Sequence, residues 1–324
     1  MGLFSELGEP EKLDSEVRFQ LAHSLEHIVS RAGDYLDVDA NDSENAASNI
    51  RKHKQDPGVF ARYYDLIFAI NSNQFTLASQ LMAEIISLSN QTMKFAVLPY
   101  LKENLNSDYE RFPRLLFSEY EEINPMASPS EVEFSNYLQM MHKAIEIVRQ
   151  VDKSIYDEIM GLLVRIYIAT DSNNKSARKF SGVTSFMVWG ATFVNIYDYK
   201  TQWQLVQFLV HELTHGMLYG LNCDPPLVMN SPSENYNSPL RVDERPMDGI
   251  YHATLVSARL VAFNRRWLDS GLVLEDEQEI IEQTTDLSLS SFQDGKETIK
   301  KHGKLSELAQ QLLERSCAEL SVSF

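Results

Sequence analysis

The residues His211-Glu212-Leu213-Thr214-His215 lie inside a stretch, Thr201 to Gly220, that is apolar almost all round, and no other feature constrains the fold of this protein as much. Leu205, Val206, Leu209, Val210, Leu213 and Met217 cover one side, while Phe208, Leu218 and Tyr219 flank the histidines. A helix without a polar face has to be enclosed by other structure. Thr201 with Gln204 three residues on predicts a capping box at its start, and Gly220 predicts its end. Histidines four residues apart project from one helix face. Both imidazoles can therefore take adjacent corners of a metal polyhedron, with Glu212 beside the ion. Chance supplies H-E-x-x-H in roughly 1 to 3 chains per hundred of this composition, so the expected burial carries more weight than the pattern. Two imidazoles removed from water need a partner.

The chain of 324 residues is long enough for a substantial core and for about two domains. Its net charge of −17 repels phosphate backbones and anionic headgroups, which argues against nucleic acid and membrane surfaces as partners. No apolar run approaches the ~18 residues that cross a bilayer. Two cysteines, Cys223 and Cys317, make no disulfide scaffold, and Met1 to Pro10 lacks the basic-then-apolar pattern of a secretory signal. A cytoplasmic setting is the expectation.

Apolar spacing predicts helices over Glu11 to Ala32, Val59 to Ile70 and Phe75 to Leu88, with a polar break from Asp37 to Pro57. Glu131 to Ile168 reads as two helices meeting near Asp152, and Gly182 to Tyr197 as two short strands about Gly190. A loop from Asn222 to Asp243 precedes a helix opened by Pro246 and running through Trp267. Glu275 to Leu320 reads as two or three further helices around Gly295 and Gly303. The predicted class is α+β and predominantly helical, with a zincin-like metal helix next to a small β element. A helical N-terminal region, 1–125, precedes a metal-binding catalytic region, 126–324, whose core is about 180–270. The two form separate domains or one compact unit.

A metal site needs a third protein ligand. Leu218 and Leu221 stand where the metzincin extension has glycine and histidine, which excludes that class. On the Pro246 helix, Asp248 and His252 share one face a turn apart. His252 is the chosen ligand, and Asp248 is the alternative that gives a two-histidine, one-carboxylate set. The reversed pattern His23-Ser24-Leu25-Glu26-His27 falls opposite the apolar stripe of its helix and reads as solvated surface. Arg241, Arg245 and Arg259 cluster near His252 in a protein short of cations, and arginine suits bidentate capture of a carboxylate.

The matching residues are Leu209-Val210-His211-Glu212 with His215, Tyr236-Asn237-Ser238-Pro239-Leu240-Arg241, then Arg245-Pro246 with Gly249 and His252, and Trp267. Across about residues 180 to 270 this resembles the HExxH-motif peptide-modifying proteins of ribosomal peptide natural product pathways. These include iron(II) and 2-oxoglutarate dependent peptide β-hydroxylases. Leu240 and Ala253 depart from the tryptophan and glycine of the family pattern, and both bear on the pocket lining. The resemblance implies that His211, His215 and His252 hold iron(II). Arg241 or Arg245, with Arg259 as a further candidate, would clamp the distal carboxylate of 2-oxoglutarate. A precursor peptide is the implied substrate, hydroxylated at the β-carbon of one of its residues, with Glu212 positioning water or a ligand histidine. The competing reading is a zinc peptidase in which Glu212 acts as general base.

Overall fold

The computed structural model describes residues 10–117, 125–172, 179–222, 225–238 and 243–323, and for Asp34 the backbone only. They form two compact bodies, each assembled from separated stretches: 10–138 with 160–199, and 139–159 with 200–323. This differs from the boundary at 125 that the sequence predicts. The reason is a strand in the N-terminal half that pairs with strands beyond residue 160, so the sheet belongs to the first body.

That body opens with helices α1 (Pro10–Ala32), α2 (Ala40–Lys52), α3 (Pro57–Asn71) and α4 (Phe75–Ser89). Helix α2 falls in the expected polar break. Asp39 starts it by accepting from the Asn41 and Asp42 amides, and only Ala46, Ala47 and Ile50 are buried, too small an apolar face to read as periodic. Strand β1 (Ala96–Pro99), α5 (Lys102–Leu105), α6 (Asp108–Leu116) and β2 (Met126–Ala127) follow. Helices α7 (Glu131–Val151) and α8 (Lys153–Leu162) contribute to both bodies and meet at Asp152 as the sequence predicts.

Strands β3 (Arg165–Asp171), β4 (Gly182–Thr184) and β5 (Ala191–Asn195) complete the sheet, ordered β1-β3-β5-β4 with β2 pairing on β3. β1, β3 and β5 run parallel and β4 is antiparallel to β5. Gly190, at φ +84, makes the turn into β5, and its carbonyl accepts from the Val164 and Arg165 amides. Aromatic rings close this core: Tyr167 stacks on Phe193 at 5.1 Å, and Phe112 meets both. On α1, His23 and His27 are exposed and Arg51 holds both oxygens of Glu26, so the reversed motif is surface.

In the second body come α9 (Gln202–Leu221), the strand pair β6 (Asn235–Tyr236) and β7 (Arg245–Pro246), then α10 (Met247–Asp269), α11 (Gln278–His302) and α12 (Glu307–Leu320). Helix α10 is the hub, packed on α9, α11 and α12 and buried along most of its length. The Tyr251 hydroxyl donates to the Ala309 carbonyl at 2.9 Å, tying α10 to α12. Gly295 lies inside α11 and Gly303 ends it, whereas α9 runs past Gly220 to Leu221 and is capped by Asn222. The class is α+β, predominantly helical with a small sheet. Among the described residues no helix is long and apolar enough to cross a membrane.

Candidate metal centre

Helix α9 starts where its sequence says it should. The Thr201 hydroxyl accepts from the Gln204 amide, and the Gln204 side chain accepts from the Thr201 amide, which fixes the helix phase from its first residue. Two turns on, the amides of Gln207 and Asn264 bond reciprocally in the core, at 2.5 Å and 3.4 Å, locking α9 against α10. Moving from Gln207 to His215 on α9, and from Asn264 back to His252 on α10, meets a second pairing, so the helices run antiparallel. A buried amide that loses its partner costs about 1–3 kcal/mol. The lock therefore sets the register that brings the histidines face to face. Gln207 and Asn264 are site-positioning residues that the sequence reading missed. Their signal was two polar amides inside otherwise apolar helices.

The rings of His211 and His215 lie 5.0 Å apart, and those of His215 and His252 lie 5.5 Å apart and nearly parallel. The Nδ1 atoms of His215 and His252 face one another at 3.2 Å. Two nitrogens bound at about 2.0–2.1 Å to one ion stand roughly 2.9–3.4 Å apart, so this spacing suits a metal corner pair as well as a hydrogen bond. His252 is buried, and its Nε2 has no hydrogen-bond partner among the described residues. The nearest carboxylate, Asp248 Oδ1, stands 3.9 Å from that nitrogen. Asp248 thus backs the ring on the side away from His215 rather than joining the pair. Tyr219, one turn beyond His215, packs on both His215 and His252 at 6.2 Å and 5.1 Å between ring centres. Glu212 is buried in the same turn of α9. Among the described residues, no group of three or more His, Cys, Asp or Glu side chains is gathered in a way that could hold a metal ion. The donor chemistry and the facing Nδ1 pair of His215 and His252 suit two corners of such a site, while His211 stands one turn along with its ring tilted 60° to that of His215.

The sequence-predicted arginines separate. Arg245 sits in β7 opposite Tyr236 of β6, so the two halves of the motif are joined by backbone pairing, and its aliphatic stem lies over Gly249 at the start of α10. Arg241 lies outside the described residues. Arg259 is buried and ion-paired with Glu158 of α8, and burial pushes that carboxyl up against the pull of the guanidinium. Its charge is answered within the core. The structure thus gives Arg259 an ion-pair partner in the core, whereas Arg245 lies at the start of α10.

Burial holds all three imidazoles neutral. It lowers His211 to about 4 and His215 well below the ordinary value, where the other two rings add to the effect. His252 is lowered too, and Asp248 opposes the shift. Neutral rings offer the lone pairs that a metal requires. Because the unfolded protein takes protons on these histidines before the folded one does, metal-free stability is complete above the ordinary value of 6.5 and is lost as pH falls from there towards about 4. The expected slope is up to about 1.4 kcal/mol per pH unit for each ring that stays neutral. Urea unfolding of chelator-treated protein at several pH values measures it, and His211→Gln should flatten the curve. A profile level from neutral pH into this window would mean that the rings already hold protons in the folded state.

Compared with known proteins, the sequence matches no family model and no curated protein.

Proposed function

We propose that this protein is a non-haem iron(II) and 2-oxoglutarate dependent hydroxylase, acting on a C–H bond at the β-carbon of a residue in a ribosomally made precursor peptide. The site is read as zincin-like, with His211, His215 and His252 as the metal ligands. The observation that carries this reading is the facing imidazole pair of His215 and His252, supplied by two helices and one turn from His211. When bound, iron(II) with 2-oxoglutarate and dioxygen supplies the oxidising power for hydroxylation, with succinate and carbon dioxide as coproducts. The apolar flanks of α9 exclude water, and burial keeps the ligand nitrogens unprotonated. Arg245, held beside the first turn of α10 by the β6–β7 pair, receives the distal carboxylate of 2-oxoglutarate, with Arg241 as the other candidate. Glu212 has no obligatory proton to move and orients a ligand ring or a water.

Protein loaded anaerobically with iron(II), then given 2-oxoglutarate and air, should release succinate. Arg245→Ala should raise the 2-oxoglutarate concentration required by about 10- to 100-fold, the loss of one charge-assisted bidentate contact. Peptide cleavage by the zinc form, with no succinate from the iron form, would instead establish the peptidase in which Glu212 is general base.

A further inference from the structure

Two pockets lie side by side in the first body and share Ile86. The larger, 460 Å³, opens between α1, α2 and α4 over a floor of Leu25, Val29, Met82, Ile85 and Ile86. The smaller, 260 Å³, continues past Ile86 to the segment before α2 and the first turn of that helix, where Asp37, Asp39 and Asp42 line it. Glu26 and Glu44 stand on the wall of the larger one. Five carboxylates thus border the joined groove, and neither lining contains a Lys or Arg.

Two of the five already have work to do: Arg51 holds Glu26, and Asp39 caps α2. Asp37, Asp42 and Glu44 are exposed and have no cationic partner among the described residues. An apolar floor beside a row of unanswered carboxylates sets the chemistry of the occupant. A purely apolar ligand leaves the row unused, and anionic lipids or nucleic acids are repelled. A second copy of the protein brings its own net charge of −17 and is disfavoured in the same way. We propose that this groove binds a short peptide segment carrying both apolar and basic side chains. The apolar side chains rest on Ile86 and Met82, and the Lys or Arg residues face Asp37, Asp42 and Glu44. The inference does not depend on the metal chemistry of the second body.

The test uses the full-length protein without metal or 2-oxoglutarate, titrated against a short fluorescein-labelled peptide of interspersed Leu and Lys and followed by anisotropy. Saturable binding is expected, weakening about fivefold or more between ~50 and ~300 mM salt because the charged contacts are exposed. Companion peptides with Glu for Lys, or Ser for Leu, should bind at least ~10-fold more weakly, the loss of about 1.4 kcal/mol. A triple variant, Asp37→Lys with Asp42→Lys and Glu44→Lys, should lose binding while keeping its circular dichroism spectrum. Ala83→Arg, an exposed change on the wall of the smaller pocket, is a second block that leaves the core intact. The proposal is overturned if the triple variant or Ala83→Arg binds as the parent does, or if the Glu-bearing peptide binds equally. Concentration-dependent self-association abolished by Ala83→Arg would overturn it too, because the groove would then be a contact between copies.

Discussion

His252→Ala should lower the affinity of the purified protein for iron(II), or for cobalt(II) as its spectroscopic stand-in, by more than ~100-fold. That figure exceeds what loss of a residue merely backing a ligand costs, about 10–100-fold. The expectation follows from position. His252 comes from a different helix than His211 and His215, yet its Nδ1 stands 3.2 Å from that of His215. Asp248→Asn, which alters only the carboxylate behind the ring, belongs in the 10–100-fold range, so the two variants rank ligand against support. His23→Ala and His27→Ala should change nothing, because both rings are exposed on α1. The cobalt(II) visible spectrum, titrated at neutral pH, reads all four variants. If His215 and His252 are only a hydrogen-bonded core pair, the parent develops no cobalt spectrum and His252→Ala shows itself solely as lower stability of the metal-free protein. That outcome removes the hydroxylase and the peptidase together, since both require the same ion.

The contrast between what was legible in this sequence and what was not follows one physical line. Where a single face of a helix is apolar, as for α1, or its start is marked by the Thr201 and Gln204 cap of α9 or by Pro246 before α10, the sequence locates the element within a residue or two. The strand pair β4 and β5 was legible because β-branched and aromatic residues bracket a turn glycine. By contrast β3 has both faces buried and so lacks alternation, and its Ile166 continues the apolar spacing of the helices before it. β1 is four residues ending at Pro99, with no pattern long enough to detect. Missing both strands moved the predicted boundary, because only strand pairing reveals that segments on either side of residue 125 build one sheet. At the site, type and spacing picked out the histidines and the helix that carries the third ring. Whether an arginine is available to a ligand was not legible. It depends on what stands opposite, and for Arg259 that is Glu158, 101 positions away.

The Arg259–Glu158 pair supports the second large effect. Both side chains are about 3–4% exposed, and they join α10 to α8 within the second body. Taking one partner from a buried ion pair typically costs about 3–5 kcal/mol, because the survivor keeps its desolvation without its counter-charge. At about 2–4 °C per kcal/mol for a body of this size, Glu158→Met should lower the melting temperature by roughly 6–20 °C. Arg259→Met should cost less. A lone Glu158, whose carboxyl burial already pushes up, can take a proton and become neutral, whereas a lone guanidinium cannot shed its charge. The gap between the two variants should narrow as pH rises, when keeping that proton on Glu158 becomes harder. The double variant, Glu158→Met with Arg259→Met, removes both charges and keeps the volume filled, so it should recover most of the loss. It also isolates the functional question, since a stable protein without Arg259 can be titrated with 2-oxoglutarate. Affinity within about twofold of the parent leaves the clamp with Arg245 or Arg241, whereas a loss near 10-fold, about 1.4 kcal/mol, would show that the buried guanidinium reaches the ligand after all.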